Sequence, residues 1–177
     1  EAIAAHQIAI NCASATFIIA LSIAMAVSIR VGHAWGARLP LRIRRITGGG
    51  LVMALGFMSI CAVIFFLEGR TLAGWFIESD RVVSIATGLL IVACFFQIAD
   101  GTQVVMLSAL RGMGDVRLPT IIAGFAYWLI TLPLGYLLAF RLNLGPKGIW
   151  IGLAAGLSIA AALFAGRFLV RTRPLNC

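Results

Sequence analysis

The stretch that decides the fold is residues 94–120, CFFQIADGTQVVMLSALRGMGDVRLPT. It places one carboxylate, Asp100, in an otherwise apolar run, and no other charged residue lies between Arg81 and Arg111. An ionised carboxylate is costly in hydrocarbon, so acids within membrane helices usually face a protein interior or a wet cavity and mark an ion or proton path. The stretch therefore predicts a membrane helix that carries a functional acid.

The composition of the whole chain is that of a membrane protein. Of its 177 residues, 62% are hydrophobic and 11% are charged, whereas globular domains carry about 25% charged residues. Five apolar blocks are long enough for a helix to cross a bilayer, at residues 8–29, 48–67, 82–110, 119–140 and 148–166. Backbone groups in lipid must be paired within the protein, which requires helices here. We therefore predict an all-α fold, a polytopic transmembrane helix bundle of five spans.

The positions of the positive charges predict the orientation. A net charge of +8 could suggest nucleic-acid binding, but the charges lie in the connections between spans. Most follow the first, third and fifth blocks, at Arg30, Arg38, Arg42, Arg44, Arg45, Arg111, Arg117, Arg167, Arg171 and Arg173. Connections rich in Lys and Arg stay in the cytoplasm. We expect a multi-pass protein of the inner (cytoplasmic) membrane, in contact with lipid and not with nucleic acid, whose C-terminus is cytoplasmic.

Three tryptophans agree with this orientation. Trp75 and Trp150 are expected near the outer membrane interface and Trp35 near the inner one, because aromatic side chains are enriched at both interfaces.

The third span carries the main candidate site. Gln97, Asp100 and Gln103 are spaced at i, i+3 and i+6, so they share about a third of the helix circumference. Amides beside a carboxylate can donate to it or help to hold a cation. Burial disfavours the charged form of a carboxylate, so Asp100 could accept a proton or be held charged by a bound cation. The alternative is a structural aspartate that pins two helices together.

Two more residues are candidates for lining a cavity. Asn11 shares a narrow stripe of the first span with Gln7, Ser14 and Ser22, and such a stripe either lines a cavity or hydrogen-bonds to a neighbouring helix. Tyr127 lies deep in the fourth span, where an aromatic ring beside a cavity would suit a flat organic cation.

The fifth span begins with small residues at four-residue spacing, Gly148, Gly152, Gly156 and Ala160. Small residues at this spacing allow a neighbouring helix to approach closely, so this face is predicted to pack.

Five ordered segments resemble a known family. They are AHQIAIN (5–11), VSIRVGHAWGA (27–37), FQIADGTQVVMLSALRGMGD (96–115), YWLITLPLGYLLAF (127–140) and GIWIGL (148–153). Together they resemble the C-terminal half of a MATE (multidrug and toxic compound extrusion) transporter of the bacterial NorM-like type, over nearly the whole chain.

The resemblance implies a twelve-helix transporter with two six-helix lobes, in which residues 1–177 supply the last five helices as part of the C-terminal lobe. The N-terminal half of the same transporter would then be a partner. The implied activity is multidrug efflux, the export of small organic, often cationic, compounds in antiport with Na⁺ or H⁺. It requires no cofactor besides the coupling ion.

The resemblance also assigns roles to residues. Asp100 matches the cation-site acid of the C-terminal lobe, where Na⁺ could bind. Phe96 stands where some members have a tyrosine near the cation, and the helix that would supply a second acid precedes Glu1. The missing initiator Met and the odd number of spans agree with a fragment that exports nothing by itself.

The residues leave other functions open. A related flippase for lipid-linked sugars would favour a large cationic cavity, whereas these spans hold one acid and few basic residues. A non-transporting membrane scaffold or channel subunit fits the glycine series but has no need of Asp100 and Gln97. His6 and His33 lie in no recognisable metal or nucleophile motif, so we expect neither an enzyme nor a metal site apart from Na⁺ at Asp100.

Overall fold

The computed structural model describes residues 1–173, which form five long helices joined by short turns. We label them α1 (Ala2–Gly36), α2 (Pro40–Gly74), α3 (Asp80–Gly112), α4 (Arg117–Arg141) and α5 (Pro146–Arg171). All five are long and apolar enough to cross a membrane. The prediction of an all-α bundle with five spans is confirmed. Residues 174–177, the end of the predicted 1–177 unit, lie outside the described residues.

Each predicted apolar block lies inside one helix, and every helix extends beyond its block at both ends. Hydropathy reports where lipid must be crossed, while helical hydrogen bonding continues into the polar ends of the chain. Local sequence sets where the helices begin and end. Pro40 and Pro146 lie in the first turns of α2 and α5, where a missing N–H is harmless. Gly114, in the turn after α3, has a φ of 73°, which glycine adopts without strain.

The central element of the bundle is α3, which packs against α1, α2 and α5, while α4 packs against α5. Two clusters of buried apolar residues lie along α3. One includes Val105 and Leu110 near the end of the helix, and the other includes Val83 and Leu90 near its start. Helix α3 therefore has neighbouring helices on several sides.

The glycines of α5 bring it against the backbone of α4. A Cβ atom at Gly148 would lie 2.5 Å from the backbone nitrogen of Ala139, and one at Gly152 would lie 2.6 Å from the Cα atom of Gly135. A Cβ atom at Gly156 would overlap the side chain of Thr131. The predicted close approach at the small residues of α5 is confirmed.

Two parts of α4 have wide, π-helical turns, at Ala126–Thr131 and Leu137–Arg141. Pro133 lies in the α-helical turn between them and has no N–H to donate. The Thr131 hydroxyl donates to the carbonyl oxygen of Ala126 at 3.2 Å. Such turns are frequent at functional sites, and the first one carries Tyr127.

One end of the bundle is closed by an ion-pair cluster. Asp115, in the turn between α3 and α4, is 8% exposed. Its Oδ2 accepts a hydrogen bond from Arg167 Nε at 2.8 Å and lies 3.5 Å from Arg171 Nε. The Arg171 guanidinium in turn lies over the ring of Trp35, 5.4 Å from its centroid. The cluster thus connects α1, the α3–α4 turn and α5.

The other end contains a buried aromatic cluster, which corrects one expectation. Trp150 is 2% exposed, so its side chain packs among the helices and does not face outward as a residue of an aromatic belt would. Its Nε1 donates to His6 Nδ1 at 3.1 Å, and its ring packs edge-on against Phe96 at 5.5 Å between centroids. Position along a span indicates depth in the membrane, but it does not indicate which side of the helix faces the protein.

Candidate functional site

The candidate site lies well inside the membrane-crossing length of α3. Asp100 is 20 residues after the first residue of α3 and 12 before the last, which is about 30 Å and about 18 Å along the helix axis. A Cβ atom at the adjacent Gly101 would lie 3.1 Å from Met58 Cγ, so α2 packs directly against this part of α3. The carboxylate itself is half-buried.

Asp100 has no partner among the residues described. Within residues 1–173, its carboxylate makes no hydrogen bond and no ion pair. The same range contains no group of three His, Cys, Asp or Glu side chains that could hold a metal ion. The oxygens of Asp100 are therefore free to accept a proton or to contribute to the coordination of a small cation.

Gln97 connects α3 to α1 beside the acid. It is 1% exposed, and its Oε1 lies 2.7 Å from the Oγ1 of Thr16 on α1. The same hydroxyl lies 2.8 Å from the carbonyl oxygen of Ala13. A hydroxyl has one proton, so Thr16 donates to only one of these two oxygens at a time. The amide Nε2 of Gln97 is buried and has no partner among the described residues.

The orientation of the Gln97 amide decides which atom is left free. With Oε1 toward Thr16, the free atom is a donor, suited to a carboxylate. When the amide is turned by 180°, Nε2 donates to Thr16, Thr16 donates to Ala13, and the free atom is a carbonyl oxygen. A carbonyl oxygen suits a cation. One side chain can thus present either polarity about one helical turn from Asp100 on α3.

Gln103 connects α3 to α4 on the other side of the acid. It is buried, and its Nε2 donates to the hydroxyl oxygen of Tyr127 at 2.7 Å. Tyr127 is half-buried and belongs to the first π-helical segment of α4. The wide turn therefore carries the phenol that is bonded to α3.

Four of the five predicted site residues are thus brought together. Gln97, Asp100 and Gln103 share one face of α3, and Tyr127 joins them from α4. Asn11 is placed elsewhere. It lies on an exposed face of α1, where its Oδ1 accepts a hydrogen bond from Gln7 Nε2 at 3.0 Å. It lies about 140° around α1 from Thr16, the residue that faces the site.

Thr16 is the residue that sequence reasoning missed. It lies nine residues after Gln7, which places it about 180° from the polar stripe on α1. A single threonine in an apolar span carries a weak signal, since its hydroxyl can bond to its own helix. Its position opposite the stripe was the one available indication that it faces another helix.

The fold and this site define a polytopic helical membrane protein with an unpaired carboxylate inside its spans. The MatE family model matches residues 1–137, so the chain belongs to the MatE family. The resemblance seen in the sequence is confirmed.

Similar proteins support this membership. The multidrug resistance protein NorM of Burkholderia vietnamiensis is 42% identical over 179 residues, which cover 98% of this chain and 39% of that protein. The multidrug resistance protein PmpM of Pseudomonas aeruginosa is 40% identical over 169 residues, covering 93% of this chain and 35% of that protein. The chain therefore spans about two-fifths of the length of the curated relatives it matches.

A solved structure shares the fold. The crystal structure of the eukaryotic MATE transporter AtDTX14 matches with a TM-score of 0.87 at 23% identity, covering 96% of this chain and 38% of that one. At this identity, the match supports the helix arrangement and not a particular activity.

Proposed function

We propose that this chain forms part of the C-terminal lobe of a secondary active multidrug exporter. The exporter moves organic, often cationic, compounds out of the cell in antiport with Na⁺ or H⁺. Membership of the MatE family and relatives named as multidrug resistance proteins support this proposal. They disfavour the alternatives of a lipid-linked sugar flippase and of a scaffold or channel subunit. The N-terminal half of the same transporter is the proposed partner, because the chain covers only 39% of a relative.

The observation that carries the proposal is the unpartnered carboxylate of Asp100. A charged carboxylate is costly in this setting, and a proton or a sodium ion removes or compensates the charge. The charged and neutralised forms favour different packing of the surrounding helices, so ion binding shifts the balance between two arrangements. Movement of helical bundles then exposes the site to one side of the membrane or the other.

The two amides transmit this change to neighbouring helices. Gln97 is bonded to Thr16 on α1, and Gln103 is bonded to Tyr127 on α4. A shift of α3 at Asp100 therefore strains one of two hydrogen bonds, each to a different helix. In this proposal Tyr127 lines the cavity beside the ion site.

The polar stripe on α1 is assigned to the substrate path. Gln7, Asn11, Ser14 and Ser22 are all exposed in the described residues, although they lie on a membrane-crossing helix. Exposed amides and hydroxyls are disfavoured against lipid but suit a water-filled cavity. We place this stripe at the cavity between the two halves of the exporter.

Substitution of Asp100 tests the proposed role. In the full-length exporter, Asp100→Asn keeps the shape of the side chain and removes its charge, so ion-driven efflux should fall to background while expression is retained. The matched control is Asp80→Asn. Asp80 is exposed and paired with Arg70 at 3.1 Å, so this variant should keep efflux. If folded Asp100→Asn protein still shows export driven by a Na⁺ or H⁺ gradient, the proposal is wrong.

In the proposed orientation, the protein lies in the inner membrane and the turn between α1 and α2 faces the cytoplasm. The arginines at this turn and at the adjoining helix ends support the orientation; they are Arg30, Arg38, Arg42, Arg44 and Arg45. Ser79→Cys and Ala37→Cys test it in a protein whose native cysteines have been replaced, because both positions are exposed. An impermeant thiol reagent added outside should label position 79 and spare position 37. The reverse pattern would show the opposite orientation.

A further inference from the structure

A groove of about 880 Å³ lies along the seam between α1 and α2. Its walls are largely apolar and are formed by Ile23, Ala26 and Val27 of α1 and by Ile46, Gly49 and Met53 of α2. Gly49 is exposed, and a Cβ atom placed on it would meet nothing within 4 Å. The groove is therefore open and could accept a hydrocarbon chain without rearrangement.

Three arginines, Arg30, Arg42 and Arg45, line the same groove near the turn between the helices. All three are exposed, and none forms an ion pair within residues 1–173. The acid at this end of the bundle, Asp115, is already bonded to Arg167 and Arg171. The three guanidinium groups thus line one positive site that has no counter-ion among residues 1–173.

The start of α2 adds to this positive site. Leu39, Pro40 and Leu41 also line the groove, and α2 begins with no side-chain cap and no acid in its first turn. The partial positive charge of a helix N-terminus favours a nearby anion. Arg44, by contrast, donates to Thr172 Oγ1 at 3.0 Å and is directed away from the groove.

We propose that this groove binds an anionic glycerophospholipid. Its phosphate lies among Arg30, Arg42 and Arg45, and one acyl chain lies on the apolar walls toward Met53. The distance from Arg45 to Met53 along α2 is about 12 Å, so the cationic and apolar parts are arranged as in a phospholipid. Basic pockets between membrane helices at the cytoplasmic surface are suited to acidic head groups. The site is separate from Asp100 and does not depend on ion coupling.

The test measures lipid binding and not export. Purified full-length protein in neutral detergent is titrated with phosphatidylglycerol, phosphatidylcholine or inorganic phosphate, and bound lipid is counted by native mass spectrometry. Phosphatidylglycerol should bind most tightly. Arg42→Gln/Arg45→Gln should weaken its binding about 25-fold, because each arginine at an anionic lipid surface contributes about fivefold.

Two matched controls separate a site from general charge attraction. Arg111→Gln/Arg117→Gln removes two exposed arginines at the same end of the bundle, outside the groove, and should change binding by less than about twofold. Gly49→Leu fills the groove and keeps every arginine, so it should weaken binding. Gly48→Leu is the control for the change in helix propensity, since Gly48 is exposed with open space around it but does not line the groove.

Either of two results overturns the proposal. Equal losses in the two arginine variants would mean that charge alone attracts the lipid. A Gly49→Leu variant with normal binding, together with displacement of the lipid by inorganic phosphate, would mean that the arginines bind a free anion and that the groove holds no acyl chain. Loss of efflux with normal lipid binding would bear on the proposed export function and would leave the lipid site unaffected.

Discussion

Two aspartates that lie 15 residues apart in the chain differ in whether the fold gives them a partner. Asp115 is nearly buried at the end of the bundle, where Arg167 and Arg171 place their Nε atoms 2.8 Å and 3.5 Å from its Oδ2. Asp100 lies within the membrane-crossing part of α3 and has no hydrogen bond or ion pair in residues 1–173. The acid in the more costly position is the one without a partner.

The two aspartates differ in whether their charge is paired. A buried charge that only stabilises a fold must be paired, because an unpaired one costs several kcal/mol. Asp115 satisfies this condition and joins three parts of the bundle. Asp100 has no such partner in residues 1–173. A proton or a sodium ion at Asp100 is consistent with the proposed antiport.

The largest contrast is expected when each aspartate is changed to asparagine. Asp115→Asn removes the charge that holds Arg167 and Arg171, so the free energy of unfolding should fall by about 2 kcal/mol. Asp100→Asn should leave it unchanged or raise it by up to about 1 kcal/mol, because a buried amide costs less than a buried charge. Denaturation in mixed micelles measures both. Equal destabilisation by the two variants would make Asp100 a structural residue.

The second contrast concerns the bond between Gln103 and Tyr127. Tyr127→Phe leaves the Gln103 amide buried without its acceptor and should lower stability by about 1 kcal/mol. The double variant Gln103→Leu/Tyr127→Phe removes both polar groups and should recover most of that loss. The same denaturation measurement applies. Additive losses in the double variant would mean that the 2.7 Å contact contributes little.

The smallest effect is expected at Thr16. Thr16→Val keeps the shape and removes the hydroxyl that lies 2.7 Å from Gln97 Oε1, so stability should fall by about 0.5 kcal/mol. Thr16→Ser keeps the hydroxyl and is the control. Efflux by the full-length protein should decline more in the valine variant than in the serine variant. Identical efflux by the two variants would mean that the hydrogen bond between Thr16 and Gln97 has no role in ion coupling.

Most of the architecture could be predicted from the sequence because lipid imposes simple rules. Twenty or so apolar residues must form a helix, and all five predicted blocks lie in helices. The glycines of α5 predicted a close contact, because small residues at four-residue spacing allow the backbone of a neighbouring helix to approach. Asp100 could be singled out because charge is rare in such helices.

The side of each helix that faces the other helices could not be predicted in the same way. Trp150 and Asn11 are both near the ends of apolar blocks, yet Trp150 is buried beside His6 and Asn11 is exposed. In a membrane helix the lipid side and the packed side are both apolar, so the alternation that reveals a buried face in a soluble helix is weak.

The sequence by itself therefore determined the five helices, the family and the position of an acid within a span, because burial in lipid restricts length and charge before any tertiary contact forms. Only the tertiary structure decided which residues contact the two amides that flank that acid on α3. It brought Thr16 to Gln97 across 81 positions and Tyr127 to Gln103 across 24, and it left Asp100 without a partner in the described residues. Those contacts depend on how whole helices rotate and cross, which is set by packing along their full length and not by any local pattern.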